Sequence, residues 1–495
     1  MLNLIVLLPL AAALVLGLAR GLPDAAARGV WWAVSAVEVV FVAVLWARFE
    51  TPDAGALAFE QRWTWLPGVR SSWHVGVDGT SLPLIALTVV VFAVCSVHAT
   101  RTSDRIRSLA ALFMFLEATC LGVFVAADLL VFFVWFDLSI VGMYLVINGW
   151  GHGDAARSAL KFFLYTFLGS LALLLGFIGL FATSSPHTFD MVELTQHPPQ
   201  ASPAVAAWVL GAILLGLAVK TPTFPFHTWL PPAHTDAPTI GSAVLAGVLL
   251  KLGTYGFVRI AMPMLPGAWR DWAWVIVAVG IVSVLYGALV ALAQQNAKRM
   301  IAYTSVNHMG YVVLAVGVAG LVGGSDAEAR AVAVSGAVTQ MVSHGLITAA
   351  LFLLVGVLRD RAGTYELGAF GGLATTAPRF AGLFAVTAFA SLGLPGFSGF
   401  IAELQVFAGS IPVTAVALVA LPGILITAAL FLMAIQRLLT GPTRGGSVGF
   451  RDLHASELWS VVPLLALSVL IGVLPRTLLD VVEPATRAVV HLVGR

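Results

Sequence analysis

"GLAVKTPTFPFHTWLPPAH", residues 216–234, decides how the chain is read. An apolar run ending at Val219 meets a lysine, Lys220, and then the prolines Pro222 and Pro225. Proline withdraws a backbone donor and displaces the helix ladder, so a spanning helix breaks here. Lipid cannot satisfy the freed carbonyls, and such a break survives only where it borders a polar cavity. An ammonium group beside a broken apolar helix points to a path for ions across a membrane.

The rest of the chain fits that setting. Of 495 residues, 59% are hydrophobic and 10% charged, whereas soluble domains carry about 25% charge. Apolar runs long enough to span, ~20 residues each, begin near Leu2, Val30, Thr80, Ser108, Leu129, Leu160, Ala206, Gly241, Trp272, Met300, Ala331, Pro378, Val413 and Leu458. They predict an all-α integral membrane protein with about 14 transmembrane helices, a single membrane domain over residues 1–495. The first run lacks a basic leader and is read as a retained span. Basic residues, among them Arg101, Arg105, Arg107, Lys298, Arg299, Arg359 and Arg361, gather in the odd-numbered loops and their flanks. The positive-inside rule then puts these loops in the cytoplasm and both termini outside.

Composition also excludes classes of function. The net charge is +2 with no basic run, so no nucleic-acid partner is expected. Cys95 and Cys120 lie inside predicted spans and fall short of the four thiolates an iron–sulfur cluster usually takes. No glycine-rich phosphate loop follows a strand. No cofactor or metal is expected in this chain, and it carries out no redox chemistry itself.

The chemistry lies in the charges that fall within spans: Glu117, Asp137, Lys220, Lys251 and Glu403, with His308 and His344. Each ionised group costs roughly 2.5–3.5 kcal/mol at mid-membrane. Helix-to-helix pairing accounts for one such pair, not for charges scattered over so many spans. A second break, "SLGLPGFSGF" at residues 391–400, interrupts the twelfth span, where Gly393, Gly396 and Gly399 are expected to admit water. Breaks in spans seven and twelve divide the chain into two five-helix units, 108–262 and 271–440. An odd number of spans per unit inverts one against the other.

A buried lysine keeps or releases its proton according to the carboxylates near it. Opposite charges ~5 Å apart at an effective dielectric of ~20 interact by roughly 3 kcal/mol. Asp137, in "FFVWFDLSIVGMYLVINGWG", is the leading partner of Lys220, with Glu117 one span earlier as the other candidate. Lys251, His308, His344 and Glu403 follow as further stations, histidine being suited to relay near neutral pH.

These motifs resemble a known family. "KTPTFPFHTWLPPAHTDAPTIGSAVLAGVLLKLGTYGFVRI" (220–260), "RMIAYTSVNHMGYVVLAVG" (from Arg299) and "MVSHGLITAALFLLVGVLRDR" (from Met341) are similar to the antiporter-like subunits of bacterial respiratory complex I. The resemblance implies a fourteen-helix core with two inverted repeats. It further implies a carboxylate–lysine pair at Asp137 and Lys220, a central lysine at Lys251 and a terminal group at Glu403. An acid at 403, where L and N chains usually have lysine, resembles the M branch of the family. On that footing the partners are the other complex I subunits, especially antiporter-like chains L and N. FMN, iron–sulfur clusters and quinone belong to partner subunits, and the location is the bacterial inner membrane. Asp137 departs from the family's usual glutamate, and Pro232 from the aspartate of "WLPDAH". Multi-subunit cation/proton antiporters and membrane-bound hydrogenases use related chains and remain alternative assemblies.

Overall fold

The computed structural model describes residues 2–52, 55–99, 104–324 and 326–495; Arg101 lies outside them. The chain opens with α1 (Leu2–Leu18) and α2 (Asp24–Ala47). An antiparallel hairpin follows, β1 (Ala58–Leu66) and β2 (Ser71–Val77). Next come α3 (Ser81–His98), α4 (Ile106–Val125), α5 (Leu129–Trp150), α6 (Ala155–Thr183) and the short α7 (Met191–Gln196). The interrupted seventh span is α8 (Pro203–Lys220) and α9 (Leu230–Asp236). Then follow α10 (Thr239–Met264), α11 (Pro266–Leu292), α12 (Ala297–Val318) and α13 (Ala327–Ala362). The interrupted twelfth span is α14 (Pro378–Ser391) and α15 (Ser398–Val413). The chain ends with α16 (Ala415–Leu439), α17 (Ala455–Val473) and α18 (Arg476–Gly494).

Among the described residues, 12 helices are long and apolar enough to cross a membrane, and α1 and α15 are shorter apolar helices. The 12 long helices and α1 each begin within a turn or two of an expected start. The chain is thus a mostly helical, multi-span membrane protein. Burial sorts the helices. The hydrophobic windows of α10, α12 and α13 are almost wholly covered by other helices, whereas those of α2, α6 and α16 are mostly open. In lipid, open apolar faces such as Leu164, Leu168 and Leu175 on α6 need no partner, because the bilayer is as apolar as they are.

A two-stranded hairpin accompanies the expected helices. Its strands read "AFEQRWTWL" and "SSWHVGV", too polar to span and rich in β-favouring aromatic and branched residues. It is clamped down by buried acids. Asp128 caps α5 through the N–H groups of Leu130 (2.9 Å) and Val131 (3.2 Å), and accepts from Ser71 Oγ and Ser72 N–H at 3.0 Å each. Asp190 caps α7 and meets His74 Nδ1 at 2.6 Å, while His74 Nε2 meets Glu60 at 2.8 Å. Burial pulls the His74 imidazole down, but the two carboxylates outweigh it and hold its pKa above the ordinary value. Burial likewise raises Asp190, yet the hydrogen bond from His74, backbone donation and the His74 and Arg62 charges keep it below the usual range.

Both termini lie on the hairpin face. Asn3 bonds Gln61 of β1, and Arg270, at the start of α11, donates to the Val493 carbonyl at 3.0 Å. The opposite face carries Arg359, Arg361 and Arg444, with Arg361 bound to Glu457 at 2.6 Å.

Candidate functional site

Lys220 is the last residue of α8 and is buried. The break beyond it is not left unsatisfied. Trp229 Nε1 donates to the Val219 carbonyl at 2.9 Å, and the Phe224 N–H donates to Ser283 Oγ at 3.0 Å. Pro232 falls in the first turn of α9, where a helix has no use for the missing N–H. A proline in place of the family's aspartate is therefore compatible with the backbone here.

The environment of Lys220 differs from expectation. Its ammonium donates to Ser139 Oγ at 3.1 Å and lies 4.8 Å from the centre of the Phe136 ring, both on α5. Among the described residues no carboxylate stands within 4.0 Å of it. Asp137 is only half-buried, its carboxyl turned toward Ser170 of α6, with Oδ1 buried and unpartnered. The reason is helical geometry: residue 137 is about 100° round the helix from 136, so α5 cannot present Phe136, Ser139 and Asp137 on one face. Glu117, the other candidate partner, is fully buried on α4, and both its carboxyl oxygens are unpartnered.

Lys251 sits in the middle of α10, between π-helical segments at Leu245–Leu249 and Phe257–Ala261. Such segments are uncommon and gather at functional sites. Lys251 Nζ donates to the Ala246 carbonyl within the first of them at 2.5 Å and meets His344 Nδ1 at 2.6 Å. A methyl group on Gly253 would stand 2.5 Å from Thr221 Oγ1, so this glycine lets α10 close on the α8 break. His344 and His308 lie 5.4 Å apart, centre to centre. His308 in turn reaches the backbone of Ser391, the last residue of α14 at the second break.

Glu403 faces that break and is buried, with 8% of its surface exposed. The three glycines of the break have different surroundings. Gly393, at φ +78°, leaves the space its carboxyl fills: a Cβ there would lie 2.6 Å from Oε2. Gly399 instead packs on the Ala390 carbonyl, and Gly396 supplies only its left-handed turn. The expected residues thus form a row from Lys251 through His344 and His308 to the Glu403 break. Lys220 stands across the Gly253 contact, and no hydrogen bond joins it to Lys251 among the described residues.

Three buried groups were not expected. Lys298, read as a loop cation, is wholly buried and donates to the Ala237 carbonyl at 2.6 Å at the end of α9. Its place in the first turn after the cap Asn296 gives no sequence signal of burial. His234 is wholly buried, stacked 4.5 Å from Phe352, with neither ring nitrogen partnered. Glu38 is fully buried on α2; an acid inside an apolar run, it was as legible as Glu117.

Known proteins match this architecture and the chain throughout. Residues 126–431 match the family described as NADH:quinone oxidoreductase/Mrp antiporter, TM. The NADH-quinone oxidoreductase subunit M of Rhodobacter capsulatus is 38% identical, over 100% of this chain and 96% of the relative. That of Rickettsia bellii (strain RML369-C) is 36% identical over 93% and 91%. A chain in the structure of respiratory complex I from Thermus thermophilus with bound NADH superposes with a TM-score of 0.89, at 30% identity, covering 100% of both chains. The chain belongs to the NADH:quinone oxidoreductase/Mrp antiporter transmembrane family, as a multi-span membrane subunit of the M type.

Proposed function

We propose that this chain is a proton-translocating subunit of a bacterial NADH-quinone oxidoreductase, set in the inner membrane. In this reading it sits among the other complex I subunits, with antiporter-like chains L and N as its neighbours. FMN, iron–sulfur clusters and quinone reside in partner chains, so this chain contributes proton movement to the enzyme and no redox centre. The observation that carries the reading is the Lys251–His344 contact at 2.6 Å inside helices buried on every side. Among the described residues no carboxylate pairs with either group, and two positive charges at that distance repel strongly, so the pair holds one proton between them and passes it by a short transfer.

From there His308 offers the next imidazole, and the break at Ser391–Ser398 leads to Glu403. Lys220 supplies a charge at the other break, whose proton responds to Asp137 and Glu117 without a fixed ion pair. The two breaks lie in spans that run in opposite directions, which supports inverted five-helix units over 108–262 and 271–440.

The test is proton uptake by proteoliposomes carrying the assembled complex with Lys251→Met. Electron transfer from NADH to quinone is expected to persist in uncoupled assays while coupled proton uptake is lost. Proton uptake at the wild-type rate in the assembled variant would overturn the assignment.

A further inference from the structure

Outside the row just described, α2 and α4 enclose a second polar site. Glu38 and Glu117 are both fully buried, and all four of their carboxyl oxygens lack a hydrogen-bond partner. Each is a mid-helix residue, and Glu38 is the charged neighbour that acts on Glu117. The packing explains the approach. Trp31 of α2 packs at a tilt against Phe113 of α4 with ring centres 5.4 Å apart. Glu38 follows Trp31 by two turns and Glu117 follows Phe113 by one, on helices that run the same way.

Two further groups belong to the site. Ser35 Oγ and Trp31 Nε1 are buried and unpartnered, and positions 31, 35 and 38 share one face of α2 by helical spacing. Donors and acceptors are therefore both present and both unsatisfied within one small region. Such groups are ordinarily satisfied by protein or by ordered water. Among the described residues no cation pairs with either carboxyl. The other titratable groups packed around it are Cys95 on α3 and Cys120 on α4, and α1 contributes none.

We infer that Glu38 and Glu117 form a proton-loading carboxyl dyad, hydrated by water held on Ser35 and Trp31, which stores one exchangeable proton beside the Lys220 break. Two unscreened carboxylates cannot both stay charged in so dry a place. Loaded, the pair is neutral; on giving up one proton it carries a single negative charge, and the remaining proton exchanges between the two carboxyls through the water that links them. Its outlet lies along α4. Cys120 and Thr119 follow Glu117 within a turn, and Cys120 is an electrostatic neighbour of Lys220. Delivery to Lys220 rests on the proton-path reading above; the dyad itself does not.

The experiment compares the purified complex as wild type, Glu38→Gln, Glu117→Gln and the double variant by infrared difference spectroscopy across a pH step, in H2O and D2O. The wild type is expected to show a protonated-carboxyl band that shifts in D2O. Each single variant should move that band, because the remaining carboxyl has lost its partner, and the double variant should lack it. NADH-driven proton uptake should fall about tenfold in Glu38→Gln, which corresponds to about 1.4 kcal/mol of altered proton affinity. Glu38→Asp keeps a carboxyl, so it should move the band while retaining most uptake, and it serves if the Gln variant does not assemble. A band unmoved by either single substitution would overturn the dyad. So would loss of the wild-type band on adding sodium, which would reveal a cation site. A wild-type complex that pumps no protons would refute the proposed function and leave the infrared result to decide the dyad.

Discussion

The two helix breaks solve one problem with opposite charges. At the first, α8 ends in a buried cation whose company is a hydroxyl and an aromatic ring. Side chains from elsewhere, Trp229 and Ser283, take up the freed backbone groups. At the second, left-handed glycines make the turn, and a carboxyl fills the space of an absent Cβ. Neither break holds its charge in an ion pair among the described residues. A fixed pair would lock each site in one state, since removing a partner from a buried pair costs about 3–5 kcal/mol. Hydroxyls, rings and bare backbone hold a charge more loosely, as the proposed proton path requires.

The first break is tested most directly at Lys220. Lys220→Met keeps the volume and removes the charge, and is expected to cut coupled proton uptake about 10²-fold, the lower range for a positioned proton-transfer group. Uptake near wild type would mean that the first break is structural only. Gly393→Ala probes the second break. It forces a left-handed residue and a 2.6 Å contact on Glu403, and is expected to cost about 1–3 kcal/mol of stability and to impair pumping. Gly211→Ala, in α8 with open space around it, serves as the neutral control; equal losses in both would separate the glycine from Glu403.

Asp137 sharpens the account of the first break. Because its carboxyl is not bonded to Lys220, Asp137→Glu should retain most pumping. Asp137→Asn should lose about tenfold, the result of weakening proton binding at Lys220 by about 1.4 kcal/mol. If Asn is silent and Glu117→Gln is inactive, the carboxylate that matters lies on α4. The smallest effect concerns the hairpin. A His74 pKa held above its ordinary ~6.5 stabilises the clamp fully below that value and loses the contribution as pH rises through the folded value. Asp190, held low, contributes above its ordinary range and loses the contribution in acid. Hydrogen exchange of the β2 amides should therefore quicken as pH rises beyond the intrinsic trend, and that excess should vanish in His74→Gln.

Much of this was legible beforehand because lipid makes sequence speak plainly. Apolar runs marked the spans, and Pro222, Pro225 and Pro395 marked the breaks, since neither feature depends on distant packing. Lys251, His308, His344 and Glu403 stood out for the same reason. What escaped needed three dimensions. The direction of Asp137 depends on how α5 rolls against α8, and no sequence pattern reports that roll. Lys298 looked like any loop cation, and its burial comes from α9 ending above it. The hairpin was hidden by its own mixture of Arg62, Trp63, Trp65 and His74, which fits neither a span nor an ordinary loop. Glu38 differs from these, since an acid within an apolar run was readable without any knowledge of packing.

The row from Lys251 to Glu403 has an electrical consequence. Lys251, His308 and His344 each lie midway along their helices. A charge passed along such a row travels in the plane of the bilayer and crosses almost none of the membrane voltage. The work of roughly 2.3 kcal/mol per charge per 100 mV must then be done in the vertical steps that join the row to either face. Voltage should accordingly slow filling and emptying at the ends, while the lateral hops between residues proceed at a rate indifferent to it.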